Sequence, residues 1–264
     1  MSVTLKTPIT YYGGKQTLLR HILPLIPAHT TYTEAFVGGA SVYFAKQPAE
    51  LEVINDVNGN LVNFYKVLQS NYHELKHRID ETLHSRREHE YAQIVYDYPE
   101  FFLSIDRAWA LWVLSKMSFA SKLDGTFGYD KAKNSIAKKV QNAKDQFTIE
   151  LSKRLEQTQI ECTDALRIIR SRGTENTFHF VDPPYIGTDC GHYSGTYNLM
   201  DFQNLLELLS KIKGKFMLTM FPHPLMDEFI QRNGWNVCKI ERTISASKTN
   251  RRKQIELIVC NYTV

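Results

Sequence analysis

The sequence predicts an α/β fold: a Rossmann-like sheet of mostly parallel strands with a mostly helical domain inserted into it. Three observations carry that expectation. An apolar run, Thr177 to Val181, reads as a buried strand and stops at Pro183-Pro184, two residues that cannot continue a ladder. Nearer the start, Thr31 to Phe36 reads as a strand, Val37 to Ser41 as a glycine turn into a helix through Phe44, and Leu51 to Asn55 as a second strand ending at Asp56. Finally, 126 positions separate Asp56 from Asp182, far more than one crossover needs, and much of that stretch has helical spacing.

Composition sets the bounds. The 264 residues are 43% hydrophobic and 23% charged, an ordinary globular balance with room for one large domain or a core carrying an insertion. The net charge of +4 is only mildly basic, but it is unevenly spread. Lys116 to Lys144 holds seven Lys against two Asp, and Lys239 to Lys253 six Lys or Arg against one Glu. Two such patches suit phosphate contacts, although a lysine run is more commonly a solvated helix face. Cys162, Cys190, Cys238 and Cys260 stand too far apart for a zinc site or a disulfide framework, so reduced thiols are expected. No run approaches the roughly 18 apolar residues of a membrane helix, and Met1 to Lys15 has no apolar core. A soluble cytoplasmic protein without membrane contact is expected.

In chain order, Tyr11-Tyr12-Gly13-Gly14-Lys15 comes first, and Leu18, Leu19, Ile22 and Leu23 then predict a helix opened by Lys15. The Walker spacing is missing, which argues against a nucleoside triphosphate. After the first strand, Gly38-Gly39 lets a ligand lie on the backbone, and Asp56, 17 residues beyond Gly39, can take two ribose hydroxyls. The third glycine of a dinucleotide fingerprint is absent. A nucleoside without phosphate, such as S-adenosylmethionine, therefore fits better than a pyrophosphate, and a nicotinamide oxidoreductase is disfavoured.

Leu61, Phe64, Tyr65 and Leu68 place a helix after Asp56. Helices are then expected over Tyr72–Leu83, Glu88–Tyr96 and Phe101–Met117, with a loop or hairpin from Ser118 to Tyr129. Residues 72–155 read as an inserted domain, leaving 1–71 and 156–264 for the catalytic domain. Phe119 and Phe127 interleaved with lysines could meet a duplex, or could equally form a mini-core. Further on, strands are expected over Gln159–Cys162 and Lys215–Met220, with helices over Ala165–Arg170, Phe202–Leu209 and Leu225–Ile230. Trp235–Ile240 and Ile255–Tyr262 alternate like a closing hairpin. Asp164 either reaches a ligand's amine or simply caps its helix. The glycine-bearing loop from Ile186 to Asn198 is a candidate lid.

Asp182-Pro183-Pro184-Tyr185 is the stretch with chemistry in it. Asp182 can accept one N–H of a planar amine, a proline-flanked carbonyl the other, and Tyr185 can stack on the ring that bears it. With both hydrogens held, the nitrogen lone pair can face an electrophile. The same four residues also make a plausible strand-ending turn.

These marks in this order resemble the Dam-like (D12 class) DNA adenine-N6 methyltransferases. They are Tyr11 to Lys15, Glu34-Ala35-Phe36-Val37-Gly38-Gly39, Asn55-Asp56, Asp182 to Tyr185 and the tail Ser245 to Tyr262. The resemblance covers about the first 70 and last 100 residues well and the middle poorly. It implies a seven-stranded, mostly parallel methyltransferase sheet with an antiparallel strand near its end, and S-adenosylmethionine as donor with no metal. Tyr11 and Lys15 would help cover the donor, Asp56 would bind its ribose, and Glu34, Phe36, Gly38, Gly39 and Asp164 would complete its site. Asp182 would stand between donor and a flipped adenine, with Pro183, Pro184 and Tyr185 holding the base. Double-stranded DNA would be bound by a monomer, or by more than one copy, through Lys116, Phe119, Lys122, Lys131, Arg251 and Arg252. Where relatives that methylate GATC have Asn-Arg-aromatic, this chain reads Lys116-Met117-Ser118-Phe119, so no target sequence is assigned. Four alternatives remain: cytosine N4, an RNA base or a protein glutamine as the amine, or a DNA-binding relative without turnover.

Overall fold

A computed structural model of the chain describes residues 5–132, 135–186, 197–244 and 252–263. Its centre is a seven-stranded sheet of β1 (Thr31–Glu34), β2 (Leu51–Asn55), β3 (Thr158–Glu161), β4 (Thr177–Val181), β5 (Lys215–Met220), β6 (Asn236–Ile244) and β7 (Arg252–Cys260). The spatial order is β3-β2-β1-β4-β5-β7-β6. The first five strands pair in parallel, and β7 runs antiparallel to both β5 and β6. The expected closing hairpin therefore exists, with its second strand inserted next to β5.

Burial on both faces explains the apolar strand runs. Along β4 every residue is buried, as parallel strands covered on both sides require. Phe178 and Phe180 enter one core with Met217, Ile258 and Cys260; Val181 enters the other with Phe216, Leu218, Leu257 and Val259. Several polar side chains within the sheet bond one another or neighbouring backbone. Thr33 and His179, opposite one another in the β1–β4 register, share a 2.7 Å hydrogen bond, and burial pushes the imidazole down to about 4, so it stays neutral. Helices Ala165–Ser171, Leu199–Leu209 and Pro224–Asn233 cover the second core.

The helices between β2 and β3 pack on the first core. Helix Ser104–Met117 lies against Gly59–Ser70 and Arg86–Asp97, and Trp109, Leu111, Trp112, Val113 and Leu114 bury it on all sides. The stretch closes with helices Ser135–Asp145 and Ile149–Leu155. From the latter, Arg154 Nη2 reaches Glu52 on β2 at 2.9 Å, where Lys46 also pairs with the same carboxylate. The Ser118–Tyr129 stretch is a short hairpin: Ser118 and Phe127 bridge, and the Phe119 N–H donates to the Thr126 carbonyl at 2.7 Å.

One element differs from expectation. The helix opened by Lys15 breaks into 3₁₀ turns at Lys15–Leu18 and Leu23–Leu25 around a single α-turn, Leu19–Ile22. Pro24 has no N–H to continue it. No helix among the described residues is long and apolar enough to cross a membrane.

Candidate active site

β1 leads out to β2 and β3 on one side of the sheet, while β4 leads to β5 on the other. Between the carboxyl ends of β1 and β4 the chain direction splits, and a crevice forms there. It is a cavity of about 620 Å³. Its walls come from the end of β1, the turn after it, the end of β2, the Asp182–Tyr185 turn after β4, the segment Tyr11–Lys15, and β7.

Asp182 is held through both of its carboxylate oxygens. Its Oδ2 lies 2.6 Å from Lys15 Nζ, and its Oδ1 accepts the Thr219 hydroxyl at 2.6 Å. Burial nevertheless holds its carboxyl above the usual range, against the pull of Lys15. Lys15 also donates to the Gly13 carbonyl at 2.8 Å and sits 4.8 Å from the centre of the Tyr185 ring. Tyr185 is fixed at both ends. Its hydroxyl donates to Glu256 Oε1 at 2.6 Å, and Phe221 meets its ring edge-on at 4.5 Å.

Asp56 builds the other end. Its Oδ2 accepts the Gly38 N–H at 3.1 Å and its Oδ1 the Asn58 N–H at 3.0 Å. Gly38 has φ +45°, and a Cβ there would stand 3.2 Å from the Tyr11 ring. At Gly39 a Cβ would meet Tyr11 Cβ at 3.1 Å. The glycine pair is thus needed for close packing of Tyr11 and for holding Asp56, and the Gly38 amide is turned to Asp56. Beneath the turn, Asn55 bonds the Ala35 and Thr163 carbonyls at 2.9 and 3.0 Å, tying three strand ends together. Glu34 accepts from Tyr32 at 2.9 Å, and burial pushes its carboxyl up to about 8.

Of the residues singled out in the sequence, Tyr11, Lys15, Glu34, Phe36, Gly38, Gly39, Asp56, Asp182, Pro183, Pro184 and Tyr185 all line this cavity. Asp164 does not: it caps helix Ala165–Ser171, accepting the Arg167 N–H at 3.1 Å. Lys116 is half-buried, bonds Thr10 at 3.2 Å, and is pushed down to about 8 by burial. Phe119 is 72% exposed at the hairpin, and the Lys122 ammonium lies 5.4 Å from the centre of the Tyr12 ring. Lys131 lines a second hollow, of about 470 Å³, with Arg86, Phe127 and Tyr129. Arg252 begins β7, whereas Arg251 and nearly all of the Ile186–Asn198 loop lie outside the described residues.

Thr219, Phe221 and Glu256 are the site residues that motif reasoning missed. The signal for two of them is present: Thr219 and Glu256 are lone polar residues in otherwise apolar strand runs. Among the described residues no group of three or more His, Cys, Asp or Glu is placed to hold a metal ion.

Residues 11–244 match the family model of the D12 class N6 adenine-specific DNA methyltransferases. The chain is 26% identical to type II methyltransferase M1.LlaDCHI of Lactococcus lactis subsp. cremoris, over 98% of this chain and 96% of that protein. It is also 26% identical to modification methylase StsI of Streptococcus sanguinis, over 77% of this chain but 32% of that longer protein. A 63-residue stretch is 41% identical to the DNA N-6-adenine-methyltransferase of Escherichia phage P1, covering 24% of this chain and 8% of that one. The sheet order, the cavity at its switch point and the match over most of the length agree: this chain belongs to the D12 class of N6 adenine-specific DNA methyltransferases.

Proposed function

We propose that the chain transfers the methyl group of S-adenosylmethionine to N6 of an adenine turned out of duplex DNA. The observation that carries this reading is the place of the Lys15 ammonium, 2.6 Å from Asp182 and 4.8 Å from the centre of the Tyr185 ring. A nitrogen donor is already favoured there, against a carboxylate and over an aromatic face, which is the setting a target amine needs. The donor set fits the methyl donor too. Asp56 in the cavity wall is the acceptor for ribose hydroxyls, Phe36, Val37 and Phe180 supply apolar wall, and acidic groups stand near a cationic ligand. When bound, S-adenosylmethionine supplies an electrophilic methyl group and is left as neutral S-adenosylhomocysteine, while the amine uses its lone pair for the new N–C bond and releases a proton.

The chain's own residues then align the amine. Asp182 accepts one amine N–H, the Pro183 carbonyl the other, and Tyr185 stacks on the base. Unstacking an adenine costs a few kcal/mol, which that stacking and those hydrogen bonds offset. Alignment supplies most of the acceleration. Residues 72–155 act as the target-recognition insertion, with Phe119, Lys122 and Lys131 against the duplex, Lys116 behind them, and Arg251 and Arg252 on phosphates.

The test is tritiated methyl transfer from S-adenosylmethionine to unmethylated genomic DNA, followed by modified-base analysis. Label in N6-methyladenine is expected. Label in N4-methylcytosine, RNA or protein would overturn the substrate, and absence of transfer the reading as a whole.

A further inference from the structure

The register of β7 carries it past the end of its neighbour. Leu257 pairs with Met220, the last residue of β5, so Arg252 to Glu256 stand beyond the carboxyl edge of the sheet, paired with β6. The cavity lies at that edge, and Gln254 and Glu256 both line it. Side chains two apart on a strand share a face, and Ile255 between them is exposed. Glu256 takes the Tyr185 hydroxyl at 2.6 Å. Lys15, Asp182 and Asp56 are likewise bonded to protein neighbours. The half-buried Gln254 amide differs: it forms no hydrogen bond with any described residue. Such a polar group in a cavity wall is costly once a ligand displaces its water, unless the ligand pairs with it.

The place of Gln254 on the sheet says which ligand that is. Asp56 follows the end of β2, and β1, β4 and β5 stand between β2 and β7. Four strand spacings of about 4.8 Å put the two ends roughly 19 Å apart. A nucleoside held at Asp56 does not span that distance, whereas a ring stacked on Tyr185 lies next to Glu256, the neighbour of Gln254 on the same strand face. On the proposed function that ring is the target adenine. With both N6 hydrogens taken by Asp182 and the Pro183 carbonyl, its Watson–Crick edge, where a flipped base is read, offers only the N1 acceptor. An amide can donate to N1; a carboxylate cannot. We propose that Gln254 is a specificity-determining residue whose Nε2 donates to N1 of the flipped adenine. The inference rests on the proposed function. Guanine, which carries N–H at N1, would set donor against donor and leave both unpaired.

The test uses a duplex bearing the target sequence, identified by sequencing DNA methylated by the wild type, with adenine or 1-deazaadenine at the target position. The analogue keeps the exocyclic amine and replaces N1 by C–H. Gln254→Leu should lower kcat/KM for adenine about three- to tenfold, the worth of one neutral hydrogen bond, and leave KM for S-adenosylmethionine unchanged. Replacing adenine by 1-deazaadenine should cost the wild type about three- to tenfold more than it costs Gln254→Leu, where the donor is already gone. The analogue's own reactivity cancels in that ratio. Equal costs in the two proteins, an unaltered rate on adenine, or a raised KM for S-adenosylmethionine overturns the proposal. Gln254→Glu keeps it testable if the first variant does not fold: an acceptor facing N1 should cost more on adenine than on 1-deazaadenine, and equal losses overturn it. If the wild type labels no adenine in genomic DNA, the proposed function falls and this inference with it.

Discussion

The cavity at the carboxyl edge of the sheet and the hairpin at Ser118–Tyr129 handle charge and aromatic surface in opposite ways. In the cavity, Lys15 is 4% exposed and Glu256 fully buried, and Asp182, Tyr185 and Asp56 each spend hydrogen bonds on protein neighbours. At the hairpin, Phe119 is 72% and Tyr129 57% exposed. On the proposed function, the difference separates two tasks. Chemistry needs groups already oriented before the substrate arrives, because reorganisation during reaction adds to the barrier. A surface that meets a duplex is completed by the duplex, which covers its rings and neutralises its cations.

That contrast can be broken at its strongest point first. Asp182→Ala should lower kcat about 10²–10³-fold, since it removes a preorganised acceptor from the reacting amine. The melting temperature should change little, because Glu256 remains beside Lys15 to take its charge. Turnover close to wild type would end the assignment of Asp182. Asp56→Ala comes next. Loss of a charged acceptor for ribose hydroxyls should raise KM for S-adenosylmethionine about ten- to a hundredfold, with a smaller effect on kcat. A kcat defect at unchanged KM would move Asp56 out of the donor site.

The smallest effect belongs to the hairpin. Lys122→Ala should weaken DNA binding several-fold and reduce the slope of log K against log salt by about one. Donor affinity should stay as it was. A changed donor affinity at unaltered salt slope would instead make Lys122 a support for Tyr12, over whose ring it lies, and would blur the division between the two regions.

Much of this site is legible in the residue string because it is built at strand ends. Asp56 and Asp182 follow apolar runs that end abruptly, and glycines 38 and 39 lie where β1 turns into a helix. Local pattern is enough for such positions, since a buried strand must be apolar and its end must turn. Thr219 and Glu256 were passed over for the complementary reason. Each is a single polar residue inside an apolar run, and period alone does not tell which cavity, if any, an inward-facing side chain lines. Asp164 had two readings, and the structure shows the cap.

What the sequence by itself determined is the α/β alternation, the long helical stretch between β2 and β3, and the identity of the carboxylates at the strand ends. These follow from short-range periodicity and turn chemistry. Only the tertiary structure decided that Lys15, Asp182 and Glu256, separated by 167 and 74 positions, meet around one ammonium. It likewise decided that burial pushes the Glu34 carboxyl up to about 8 while Glu256 takes the Tyr185 hydroxyl. Such shifts and contacts depend on desolvation and on neighbours brought together by the folded sheet, and no local stretch of chain carries that information.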